Sequence, residues 1–103
     1  MTEEYSPKRP DETEAFAADF ARLLTTGETL STAACKVVLA SDPTEADIGT
    51  MKSGIAVVAG TRTVQKITGG TDGTLYTVIF TATTSLGQTL VESRDLRVRR
   101  DQT

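Results

Sequence analysis

Histidine, the commonest general base and metal ligand, is absent from the 103 residues. A Ser-His-Asp triad and a Cys-His pair are therefore excluded. The single cysteine, Cys35, leaves no partner for an intrachain disulfide. Without imidazole it cannot build a tetrahedral zinc site either. Cys35 falls on the apolar face of a predicted strand and reads as a small core residue rather than a nucleophile. Three carboxylates gather in Asp42-Pro43-Thr44-Glu45-Ala46-Asp47. Oxygen ligands on a loop suit Ca²⁺, but the spacing is not that of a calcium loop, so a solvated acidic loop is the simpler reading. Gly69-Gly70-Thr71-Asp72-Gly73 is as glycine-rich as a phosphate loop. It lacks the Lys-Ser/Thr ending and opens a strand instead of a helix, so it reads as a tight turn. The residues point to no enzyme, no cofactor and no metal.

One constellation carries a specific structural expectation. Asp72 stands four residues before Tyr76, and apolar Val78 follows two residues later. This matches the tyrosine corner of Ig-like domains, in which the Tyr hydroxyl bonds the backbone of the preceding turn.

The elements that position these residues read as strands. Tyr76, Val78, Phe80 and Ala82 alternate with Thr77, Ile79, Thr81 and Thr83, the two-residue period of a strand with distinct faces. Residues 29–39 form an earlier strand with Ala33, Cys35, Val37 and Leu39 on one face. Ile55 to Val58 is a short strand after a long loop or irregular edge over 40–54, and residues 61–68 alternate. Ser85-Leu86-Gly87 is a hairpin turn, after which 88–99 pairs back with Leu90, Leu96 and Val98 inward. Residues 14–24 are ambiguous. Phe16, Phe20, Leu23 and Leu24 have helical spacing, whereas Phe16, Ala18 and Phe20 alternate. Their context, a series of strands, selects the strand. About seven β-segments predict an antiparallel β-sandwich.

The length suits one domain. Residues 1–13 read as an extended N-terminal arm, because Pro7 and Pro10 oppose both helix and central strand. Residues 14–99 are the sandwich and 100–103 a tail. Pro7, Lys8, Arg9 and Pro10 are candidate partner contacts if the arm orders on a neighbour. Arg94, Arg97, Arg99 and Arg100 crowd the C-terminal end. They read either as an exposed edge strand whose charges discourage aggregation or as a docking strip, with Arg97, Arg99 and Arg100 as contacts. The net charge of −3 at pH 7 gives no global attraction to nucleic acid. The longest apolar runs are too short to span a bilayer. Residues 1–14 are polar and acidic, unlike a signal peptide, and a single cysteine suits assembly in a reducing cytoplasm.

Several motifs recur together in one family. They are Lys8-Arg9-Pro10-Asp11-Glu12, Asp19-Phe20-Ala21-Arg22-Leu23-Leu24, Gly27-Glu28-Thr29-Leu30, Gly69 to Val78, and Thr83 to Thr89 followed by Leu96-Arg97-Val98. In order and spacing the chain, over roughly 7–99, resembles the phage fibre–tail adaptor family of Ig-like virion proteins. Departures are Cys35, where members often carry Trp, the absence of an aromatic near Lys66, and a longer segment at 40–54. The resemblance implies an Ig-like sandwich acting as a neck or tail adaptor that links connector or tail to fibres or collar proteins. It implies several copies around a symmetry axis, in a virion assembled in the host bacterial cytoplasm. Capsid decoration, another virion role for an Ig-like module, and a host-surface binding module are the alternatives. The resemblance implies no catalytic or ligand residue. Nucleic acid and membrane are not expected partners.

Overall fold

The computed structural model describes residues 3–5, 7–41 and 47–100. The strands are β1 (Glu3–Glu4), β2 (Thr13–Asp19), β3 (Leu30–Leu39), β4 (Lys52–Ala59), β5 (Arg62–Thr68), β6 (Thr74–Thr84) and β7 (Thr89–Val98). Six are long and β1 is a two-residue strip. Single 3₁₀ turns sit at Ala21–Leu23 and Gly49–Met51. No helix among the described residues is long and apolar enough to cross a membrane.

Two sheets pack face to face, ordered β1-β7-β6-β3 and β2-β5-β4. The long strands pair antiparallel throughout, whereas β1 runs parallel to β7. Taken in chain order from β2, the sheets reproduce the B-E-D and C-F-G groupings of an Ig-like sandwich. Alternation decides which side chains meet between them. Tyr76, Val78, Phe80 and Ala82 of β6 are buried, as are Leu96 and Val98 of β7 and Phe16 and Ala18 of β2. Each large apolar side chain removed from water there contributes about 1.5–3 kcal/mol.

The period of two wins in 14–24. The strand ends at Asp19, whose carboxylate accepts from the Ala21 N–H at 2.9 Å and starts the 3₁₀ turn. Phe20 still points inward and is fully buried, while Leu23 is exposed. The segment 40–54 is less of a loop than its composition predicts, because β4 already begins at Lys52. Asp47, from the acidic loop, accepts from the Val37 N–H at 2.8 Å and pairs with Lys52 at 2.6 Å. Burial alone would raise its carboxyl; the Lys52 ammonium and the Val37 N–H hold it below the ordinary range. Asp42 and Glu45 lie outside the described residues. Cys35 is buried on the inner face of β3, and burial pushes its thiol up to about 12.

One end of the sandwich is closed by a buried carboxylate. Glu28, between β2 and β3, accepts from the Thr84 hydroxyl and from the Thr25 N–H. The Thr84 hydroxyl oxygen in turn accepts from Gln88 N–H at 3.1 Å within the β6–β7 hairpin. These bonds, that of Thr84 first, hold the Glu28 carboxyl below its ordinary value of 4.5. Unfolded, the same carboxyl takes up its proton at higher pH, so the unfolded chain binds more protons in the interval. The stabilisation is therefore present above 4.5 and lost as pH falls through the folded value. Glu28→Gln is expected to flatten the acid limb of the stability–pH curve, measured by urea midpoints from pH 6 down to 3. An unchanged slope would contradict the assignment.

Candidate functional site

The opposite end gathers the residues singled out by the sequence. The turn between β5 and β6, residues 69–73, faces the N-terminal segment and the end of β7. Tyr76 is buried near the start of β6, and its hydroxyl oxygen accepts from the Thr71 N–H at 2.9 Å. The Asp72 carboxylate accepts from the Arg100 N–H at 2.7 Å. Gly73 donates its N–H to the Val98 carbonyl at 2.7 Å. The turn is thus tied to the C-terminal segment from Asp72 and Gly73, and to β6 from Thr71. Tyr76→Phe is expected to cost about 1 kcal/mol by leaving the Thr71 N–H without its acceptor. Thermal unfolding checks this, and an unchanged midpoint would count against it.

The N-terminal segment does not stand off the body. Residues 3–4 pair with Arg94 and Asp95 of β7. The Tyr5 N–H bonds the Asp95 carbonyl, the Lys8 N–H bonds the Arg97 carbonyl, and Arg99 donates back to Lys8. The Tyr5 ring packs on Phe16 with centroids 4.8 Å apart, and its hydroxyl donates to the Ala17 carbonyl of β2 at 2.7 Å. It therefore bridges the seam between the two sheets. Burial raises its phenol to about 12.

Lys8 corrects the expectation of an outward-facing contact, because it is fully buried. Its ammonium donates to the Arg9 carbonyl at 2.6 Å and to the Gly69 carbonyl at 2.7 Å. A buried cation persists only when its donors are used; here they join the segment to the β5–β6 turn. Burial lowers its pKa, against the nearby carboxylates of Glu12, Glu14 and Asp11, which raise it. Pro7, Arg9 and Pro10 are half-buried beside it. The Arg9 guanidinium meets Asp11 at 3.2 Å, and its N–H meets the Glu12 carboxylate at 2.8 Å.

Arg97 is half-buried, and Arg99 and Arg100 are exposed. With Arg9 they cluster at this end, and Arg94 does not join them. Arg94 lies on the inner side of β7, pairing with Glu92 at 3.5 Å, while Arg22 meets the same carboxylate at 2.7 Å. Beside the turn a shallow open cleft of 530 Å³ is lined by Ala40, Ser41, Gly73, Thr74 and Leu75. Its lining has hydroxyls and no titratable side chain. The geometry is that of a stiffened end carrying a basic cluster of Arg9, Arg97, Arg99 and Arg100.

Sequence reasoning missed Gln65. It is buried in β5 opposite an irregularity of β4, where Ser53 pairs with Lys66 and the next paired residue is Val57, opposite Val64. The Gln65 amide donates to the Ser53 carbonyl at 3.3 Å and the Gly54 carbonyl at 3.2 Å. Gly54 takes φ +78° there, a conformation that costs glycine little. Ser53-Gly54 was the only signal, and it reads equally well as loop.

No curated protein matches the sequence. The sequence profile of the podophage GP4 fiber-tail adaptor protein gp77 matches residues 8–97. That span runs from the buried lysine through both sheets to the basic end of β7. Nearly the whole sandwich is therefore covered, and the chain belongs to the podophage fiber-tail adaptor family.

Proposed function

We propose that the protein is a non-enzymatic spacer between the tail and the fibres of a podophage virion, present in several copies around the tail axis. The observation that carries this reading is the family match along residues 8–97. The architecture supports it. A two-sheet module tied at both ends, by Glu28 and Thr84 at one and by Lys8, Tyr76 and Asp72 at the other, holds its surfaces at fixed spacing. Symmetric placement of a small rigid unit is an economical way to present many copies of one contact. Arg9, Arg97, Arg99 and Arg100 at the stiffened end are the contacts proposed for one neighbour. Rim charges of this kind govern association rate and salt dependence more than affinity.

Particles assembled from a genome lacking this gene test the reading. Tails without attached fibres are the expected result, with fibres restored when the protein is supplied. Fibred, infectious particles that lack the chain would overturn it.

A further inference from the structure

The two sheets have four lateral edges, and three carry charged side chains or a covering segment that blunts them. The β7 edge is covered by residues 3–5 and Lys8 at one end, and at the other it carries the inward carboxylate of Glu92, held by Arg22 and Arg94. The β3 edge is bulged after Leu30. Further along it is capped by the Asp47 carboxylate, the Ile48 N–H and the Lys52 ammonium, which bond Val37 and the Cys35 carbonyl. The β2 edge bears Glu14 and Asp19 and gives the Ala17 carbonyl to Tyr5. Charges, bulges and covers are the usual guards of a sheet edge.

The β4 edge is bulged too, but beyond Lys52 it has no charge of its own. Residues 53–59 contain no charge and no proline, and they hold three of the exposed large aliphatics: Ile55 at 83 %, Val57 at 49 % and Val58 at 36 %. The bulge here pushes a side chain outward. Between Ser53 and Val57 the strand leaves the ladder, Gln65 plugs the gap from inside, and Ile55 is the residue thrust into solvent. Bulges that re-aim a side chain mark sites of use. An aliphatic knob on a backbone pinned by a buried amide has the features of an anchor residue.

The charge around the knob selects its occupant. Val57 pairs with Val64, on the outer face of the sheet, and Arg62 and Lys66 lie on that same face, one on each side of Val64 along β5. Arg62 sits opposite Ala59 and Lys66 opposite Ser53. Both neighbours are small, so each cation can lie across the edge strand and flank the patch. Arg62 approaches Asp19 only to 3.8 Å, which leaves guanidinium donors for a second carboxylate. Asp19 is itself engaged by the Ala21 N–H and the Thr61 hydroxyl. Arg62 and Lys66 give the outer face of β5 two exposed cations, which carboxylates on a partner complement.

The geometry points to a docking site at the β4 edge, in which Ile55 enters an apolar pocket of a different virion protein and carboxylates at the pocket's rim meet Arg62 and Lys66. This inference rests on the adaptor reading and names the partner's chemistry. A photo-crosslinking residue, p-benzoylphenylalanine, placed at Ile55 and, as a control, at Ile79 on the opposite sheet tests it in purified particles. The expected adduct at position 55 contains another virion protein, cross-linked within a few residues of Asp or Glu. Ile55→Asp, or Arg62→Glu combined with Lys66→Glu, should lower uptake into particles at least about tenfold with the melting curve unchanged. An adduct between two copies of this chain, or adducts at 79 with none at 55, would overturn the docking site and leave the adaptor reading standing. Absence of the chain from particles would remove both.

Discussion

Gly70→Ala will destabilise the sandwich by about 3 kcal/mol, a fall of about 15 °C in Tm for a domain of this size. Two costs add. Gly70 holds φ +101°, which side-chain-bearing residues rarely adopt. A Cβ there would also stand 2.8 Å from Val98 Cγ2 and 3.1 Å from Met51 Cε. Both neighbours are core residues, buried to within a few per cent, so neither can step aside without disturbing the packing between the sheets. Gly69→Ala is the control. Its φ is +70° but its Cβ would meet open space, so only backbone strain applies, about 1 kcal/mol. Equal losses from the two variants would show that the close approach to Val98 is not what makes Gly70 necessary.

Removing residues 1–9 will cost about 4 kcal/mol, because it takes away part of the core and not a free arm. Tyr5 contributes its buried ring against Phe16 and its bond to Ala17. Lys8 leaves the Gly69 carbonyl without its donor. Relief of the cost of burying an ammonium offsets part of this loss. Urea unfolding of the truncated chain checks the figure, and a midpoint equal to that of the full chain would contradict it. For the same reason truncation is a poor probe of docking, since loss of uptake would follow from loss of fold. Point substitutions at exposed Arg99 or Ile55 separate the two.

The contrast between β6 and Lys8 shows how far the sequence was legible. Along β6 every second residue is apolar and its neighbours are mostly threonine, so the buried face follows from the pleat alone. The same alternation settled 14–24 once strands surrounded it. Lys8 has no such signal. Its burial depends on the β5–β6 turn, more than sixty residues away, and a lysine between prolines looks like surface from composition. The β4 edge was hidden for a related reason. Ser53-Gly54 reads as loop, and only the amide of Gln65, opposite in the sheet, makes it a bulge within a strand. Of the candidate contacts, the arginines were found by charge density, whereas the aliphatic knob at Ile55 needed the register of the sheet.

A cryo-EM reconstruction of the intact virion addresses the adaptor role most directly. Several copies of a small two-layered β-module are expected at the junction of tail and fibre, with β1 to β7 traceable in each. Density for the module spread over the capsid shell, or a tail–fibre junction built without it, would rule out the adaptor role.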